Sequence, residues 1–178
     1  MIPELQPVAF HDEVRRAEAG RLITEYLGFI RDTAASEHGL TFDTGAMVRS
    51  DLEDPTKFYP PHGRFYLLHF HHYVGVGCLR RLDPEAVELQ RLYVQPSVRG
   101  RGYGKLLLER LIADAREMGC QVVRLESLRA LVAAHALYRS AGFVEIAHYA
   151  DSSMAAYQPA AQQSAYDRNV VRMELGLR

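Results

Sequence analysis

Residues 99–104 read Arg99-Gly100-Arg101-Gly102-Tyr103-Gly104, and Lys105 follows. The run lies between a strand-like and a helix-like segment. The first turn of a helix leaves N–H groups unpaired and ends a dipole at its positive pole. Glycines let the chain turn tightly and let a ligand reach the backbone. Flanked by two arginines and a lysine, such a turn is a candidate cradle for phosphate or pyrophosphate. Other readings compete for it. A glycine turn before a helix is often structural. An RGRG string also occurs in nucleic-acid-binding tails, but this one is wedged between strongly patterned segments. The glycines have the wrong spacing for the Rossmann fingerprint, and the lysine–hydroxyl pair of a P-loop is missing.

Other residues could move protons or hold metal. Glu88, on the strand before the loop, is a candidate general base if a cleft closes over it. Its alternative is a structural salt bridge to Arg91 or another arginine. Glu85 and Glu126 are weaker candidates. His69, His71 and His72 cluster, and His69 and His71 would share one face of a strand. No carboxylate or thiol stands beside them at ligand-like spacing, so a polar hairpin tip is the better reading and no metal is expected.

These groups need elements to position them. Residues 5–10 suggest a short strand. From Asp12 to about His38 apolar residues recur at helical spacing, with Asp12 as N-cap, Gly39 as stop and Gly20 as a point that weakens or divides the helix. Residues 44–53 suggest a short helix. Pro55, Pro60 and Pro61 mark 54–63 as a loop. Phe65–Phe70, Tyr73–Leu79 and Val87–Val94 read as strands. Lys105–Met118 is an amphipathic helix, with Leu106, Leu107, Leu111, Ile112, Ala115 and Met118 inward and Gly119 at its end. Gln121–Ser127 is strand-like, Val132–Ser140 helical, and Phe143–Ala147 and Val170–Leu177 are the last strands. The segment 148–169 reads as a long loop, which in a compact domain is usually functional or disordered. The order is mixed α/β, a hairpin run followed by a βαβ unit.

The 178 residues fit one domain, 1–178. A formal net charge of -1 argues against a broadly basic nucleic-acid binder, so an anion must be held locally. Cys78 and Cys120 make no disulfide framework, and the prior favours a reducing compartment. No basic-then-apolar start and no run of about 20 apolar residues is present. The expectation is a cytoplasmic protein with no membrane and no nucleic-acid partner. A homodimer is left open.

The glycine loop Arg99-x-x-Gly102-x-Gly104, the strand Glu88–Val94 leading into it, and the run Ala136-Leu137-Tyr138-Arg139-Ser140-Ala141-Gly142-Phe143 together resemble the GNAT superfamily of N-acetyltransferases. The loop is similar to that family's acyl-CoA pattern [Q/R]-x-x-G-x-[G/A], and the later run to its A-x-x-LY-x-x-x-GF helix end. The close match covers about a third of the chain, and 1–60 corresponds to the family's variable acceptor region. The resemblance implies a mostly antiparallel mixed sheet with one parallel βαβ pair, its third and fourth strands splayed, flanked by helices. A β-bulge would open the slot between those strands.

The resemblance also implies acetyl-CoA as acyl donor. Its pyrophosphate would sit on the amides of Arg99, Gly100, Arg101, Gly102, Tyr103, Gly104 and Lys105. Its pantetheine would lie along Leu92, Tyr93 and Val94, bonded to the backbone of Leu92 and Val94. Tyr138 would stand near the sulfur as general acid, unless its ring only packs. His148 and Tyr149 would face the acceptor, unless they anchor a loop. Many members carry an asparagine seven residues before the tyrosine, where this chain has Leu131. The implied activity is acetyl transfer to a small-molecule or protein amine. The alternative is a non-catalytic acyl-CoA-binding or sensing module of the same fold.

Overall fold

Alternating apolar residues and tight turns build the first half of the sheet. The computed structural model describes residues 2–152 and 154–177. Strand β1 (Glu4–Pro7) pairs with β2 (Gly63–Phe70), β2 with β3 (His72–Arg81), and β3 with β4 (Ala86–Val94), all antiparallel. Helix α3 (Tyr103–Glu117) then crosses over to β5 (Val122–Leu128), which runs parallel to β4. β7 (Val170–Gly176) pairs antiparallel with both β5 and β6 (Val144–Ile146). The seven-stranded order is β1-β2-β3-β4-β5-β7-β6. The expected parallel pair is therefore present. Its members are the expected segments 87–94 and 121–127, numbered β4 and β5 because the short β1 is counted first.

Helices cover both faces. On one face α1 (Glu13–His38) and α2 (Thr44–Glu53) pack Leu22, Ile23, Leu27, Ile30 and Met47 onto Phe65, Leu67, Val76 and Cys78. On the other, α3 packs Leu108, Leu111, Ile112 and Ala115 onto Leu79, Val87, Leu89 and Val123, joined by Tyr138 of α4 (Val132–Ser140) and by Phe143. Each of these Leu, Ile, Val, Met and Phe side chains removed from water stabilises the fold by roughly 1.5–3 kcal/mol. β4 is buried on both faces for most of its length, and its polar residues Glu88, Gln90 and Arg91 are buried with the apolar ones.

Several expectations need correction. Gly20 does not divide α1, which runs unbroken; a Cβ there would lie 2.8 Å from Leu52 Cδ1, so the glycine admits α2. α3 begins two residues before the expected Lys105, because Gly102 already caps it at φ 80°. Its inner face buries Leu108 where the spacing had suggested Leu106. The expected loop 148–169 contains two single 3-10 turns and α5 (Gln163–Asn169). Tyr166 fixes α5 by burying its ring edge-on to Phe42. His71 sits in the β2–β3 turn at φ 64°, so it shares no strand face with His69. Among the described residues no cluster of His, Cys, Asp or Glu is placed to hold a metal, and no helix is long and apolar enough to cross a membrane.

Candidate active site

The site begins with a defect in β4. Val76 lies opposite Tyr93 and Cys78 opposite Gln90, so Gly77 alone faces both Arg91 and Leu92. This is a β-bulge, and Arg91 takes the unusual φ of 55° within it. A Cβ at Gly77 would come within 2.9 Å of Leu111 Cδ1, so glycine lets α3 pack closely over the bulge. β4 pairs with β5 only from Ala86 to Glu88. Beyond Glu88 the two strands part, and the β4 peptide groups on that side are left without a sheet partner.

A cleft of about 540 Å³ occupies the opening, within the range usual for ligand sites. Leu92, Tyr93 and Val94 form its floor, the glycine loop one end, and Ala130–Ala134 with Tyr26 and Phe29 its sides. Gly102 caps α3 in the left-handed region and supplies no side-chain cap, so the first-turn amides remain unclaimed by any side chain. A Cβ built on Gly102 would meet no protein atom within 4 Å. The loop thus offers backbone donors and a dipole end facing open space, which suits a pyrophosphate. Phe29 and Val132 stay 45% and 68% exposed on the cleft wall, apolar surface that a long thin ligand would cover. These residues fit acyl-CoA.

The predicted loop residues divide into two groups. Arg99, Gly100, Gly102, Tyr103, Gly104 and Lys105 line the cleft. Arg99 also braces the loop, donating from Nε to the Val94 carbonyl at 3.0 Å. Arg101 is not on the cleft wall; its guanidinium lies 5.8 Å over the Phe70 ring. Tyr93 presents its body to the cleft while its hydroxyl donates to Glu25 Oε1 at 2.6 Å, tying α1 to β4.

Behind the cleft lies a smaller, partly open cavity of about 40 Å³. Tyr26, Leu92, Leu131 and Tyr138 line both spaces and mark where they meet. Glu88, Gln90 and Glu126 supply the cavity with acidic and amide groups. Glu88 is 2% exposed and accepts from Gln90 Nε2 at 2.5 Å and from the Tyr149 hydroxyl at 3.1 Å. The salt bridge to Arg91 suggested by proximity in sequence does not form. Arg91 turns at the bulge to pair with Asp51, and Arg80 approaches Glu88 at 4.0 Å instead. Glu126 is committed to Arg172 Nε at 2.7 Å, to Ser152 and to Tyr166. Glu85 lies at the other end of β4, bonded to Gln121, and lines neither space.

Tyr138 is 7% exposed, and its hydroxyl makes no hydrogen bond among the described residues. Burial first, and then the neighbouring Tyr26, push its phenol well above the ordinary value of 10.0. Tyr149 is buried beneath the cavity carboxylate, whereas His148 is exposed and lines neither space. Leu131 does reach the junction, and it offers only hydrocarbon there. Sequence reasoning passed over Tyr26 and Gln90. Tyr26 sits on the inner face of α1 at core-like spacing. Gln90 differs from a packing residue only in where the splay of β4 and β5 leaves it.

A sequence model of the acetyltransferase (GNAT) family matches residues 29–143. The chain belongs to that family. It is 35% identical over 123 residues to the uncharacterized N-acetyltransferase YjgM of Escherichia coli K12, covering 66% of this chain and 73% of that one. It is 34% identical over 108 residues to an uncharacterized N-acetyltransferase of Schizosaccharomyces pombe, covering 58% of this chain and 64%, under two thirds, of the relative. Among solved structures, yncA of Salmonella typhimurium, determined with its cofactor acetyl-CoA, superposes with a TM-score of 0.60 at 17% identity, over 100% of this chain and 95% of that one. That likeness is one of fold.

Proposed function

We propose that this protein transfers the acetyl group of acetyl-CoA to an amine. The observation that carries the reading is the junction of two spaces at Tyr26, Leu92, Leu131 and Tyr138: a long cleft ending in the glycine loop, and a small cavity holding Glu88 and Gln90. Acetyl-CoA supplies the acyl group and a thiol leaving group. The amides at 102–105 and the side chains of Arg99 and Lys105 hold its phosphates. The backbone of Leu92 and Val94, beyond the β4–β5 pairing, lies along its pantetheine and orients the thioester. A β4 amide at the bulge supports the carbonyl oxygen as charge builds there.

Tyr138 keeps its proton at the junction and donates it toward the departing sulfur. Glu88 takes the proton released by the amine, directly or through water, while Gln90 and Tyr149 hold its carboxylate in place. Tyr149 serves the acceptor side through this contact; His148 stands further out and would meet only the distal part of an acceptor. The test is release of free thiol from acetyl-CoA in the presence of amines, beside the shift in melting temperature that acetyl-CoA causes alone. Binding together with amine-dependent thiol release supports the transferase. Binding without release under any amine points to the non-catalytic module.

A further inference from the structure

Gln90 lines the smaller cavity and is 6% exposed. Its Nε2 donates to Glu88 Oε1 at 2.5 Å, and its Oε1 is buried with no hydrogen-bond partner among the described residues. With Glu88 as a carboxylate, which only accepts, the NH₂ side of the amide is the one that faces it. Glu88 is itself fixed from its other oxygen by the Tyr149 hydroxyl at 3.1 Å. The arrangement presents a rigid acceptor atom inside a cavity whose remaining walls include Leu27, Ile30, Leu89 and Leu125. None of the donors on the cavity wall reaches Gln90 Oε1, and buried polar atoms in native structures are seldom left so. Room is limited too. In the same measure a single water needs about 10–15 Å³, and the cavity offers about 40 Å³. A nitrogen with one or two carbons fits, while a branch at the nitrogen or at the next carbon does not.

We propose that Gln90 is the residue that receives the acceptor: its Oε1 takes an N–H from an unbranched primary amine, whose –CH₂–NH₂ end enters the cavity between α1 and the splayed strands. Gln90 touches the substrate, and Glu88 positions Gln90. The inference rests on the acetyl-transfer reading for its donor half, and it narrows the acceptor to amines of the lysine side-chain or alkylamine kind. It excludes α-amines on a branched carbon and secondary amines.

The experiment measures thiol release from acetyl-CoA with n-butylamine and Nα-acetyl-lysine, against sec-butylamine, N-methylbutylamine and a lysine-free peptide with a free N-terminus. The expected result is a kcat/KM at least about tenfold higher for the first two. Equal or better use of the branched or secondary amines overturns this inference and leaves the transferase standing. Silence across the whole panel, with acetyl-CoA bound, overturns both. Gln90→Met then tests the residue: the amine KM should rise about tenfold or more, with the acetyl-CoA KM within twofold. An unchanged amine KM overturns the assignment. If Gln90→Met fails to fold, Gln90→Asn withdraws the carbonyl by one methylene and must raise the amine KM in the same way.

Discussion

Arg91, at the β4 bulge, donates from Nε to Asp51 Oδ2 of α2 at 2.6 Å, and both side chains are buried. Lys57 reaches the other oxygen of the same carboxylate at 2.6 Å. One carboxylate thus faces two buried cations, and the group ties α2 to the strand defect that opens the site. The positive φ of Arg91 turns its side chain toward α2 and leaves Glu88 to the cavity.

Removing the carboxylate should therefore do more harm than removing the lysine. Asp51→Ala leaves Arg91 and Lys57 buried without compensation, a change that costs about 3–5 kcal/mol. Lys57→Met leaves a balanced Arg91–Asp51 pair and should cost about 1 kcal/mol or less. Urea unfolding of the two variants measures the difference. Equal losses would mean that the charge balance of this group is not what holds it.

Gly102→Val should abolish most acetyl-CoA binding. The residue sits at φ 80°, a conformation that costs an L-residue roughly 1–2 kcal/mol. Its Cβ would project into open space at the cleft rather than into protein. The fold should survive with a modest loss, while the rise in melting temperature caused by acetyl-CoA in the wild type should disappear. A variant stabilised by acetyl-CoA as fully as the wild type would remove the glycine loop from the binding site.

The parts of this arrangement written as local patterns were legible in the sequence. Helix α4 lies where its periodicity places it, and Asp12 and Gly39 bound α1 as their chemistry predicts. Gly102 and Gly104 mark the cleft because a tight turn before an amphipathic helix has few residues to choose from. What was not legible depends on meetings across long distances in sequence. Nothing near Arg91 announces Asp51, forty positions earlier, and Glu88 is the carboxylate its own strand offers. Gln90 is an ordinary strand residue until its Oε1 is found alone in a cavity. The segment 148–169 looked structureless because one buried tyrosine, Tyr166, organises it rather than a helical period.

Stability should fall on the alkaline side. Tyr138, Tyr149 and Tyr166 are all pushed above the ordinary phenol value, by burial first, and for the last two also by Glu88 and Glu126. In the unfolded chain these phenols lose their protons near pH 10, while in the folded protein they keep them. The raised folded values mean that their contribution is complete below about pH 10 and is lost as pH rises above it. The loss is on the order of 1.4 kcal/mol per pH unit for each tyrosine. Melting temperatures taken from pH 8 to 11 should turn downward near pH 10. A flat curve through pH 11 would show that these phenols titrate normally in the fold.

Tyr138→Phe separates chemistry from packing. The hydroxyl has no hydrogen-bond partner among the described residues, so its loss breaks no contact of the fold. The ring keeps its place against Phe143, 5.8 Å away between centroids. Stability should change by no more than about 0.5 kcal/mol, at the low end of what one intramolecular hydrogen bond is worth. Acetyl-CoA binding should change little, because the phosphates and pantetheine are held by the loop and β4. Turnover should fall by roughly 10²–10⁴-fold, the usual worth of a positioned acid. Since the proton moves only as the thiol departs, the loss belongs in kcat rather than KM. The raised phenol value adds a second mark: the wild type should keep this acid function through pH 10, where an exposed tyrosine would be half ionised. A packing role predicts near-normal kcat for Tyr138→Phe and damage only from Tyr138→Ala. Turnover within about threefold of wild type, with the chemical step shown to limit the rate, would assign the proton to water and leave Tyr138 as a wall of the junction.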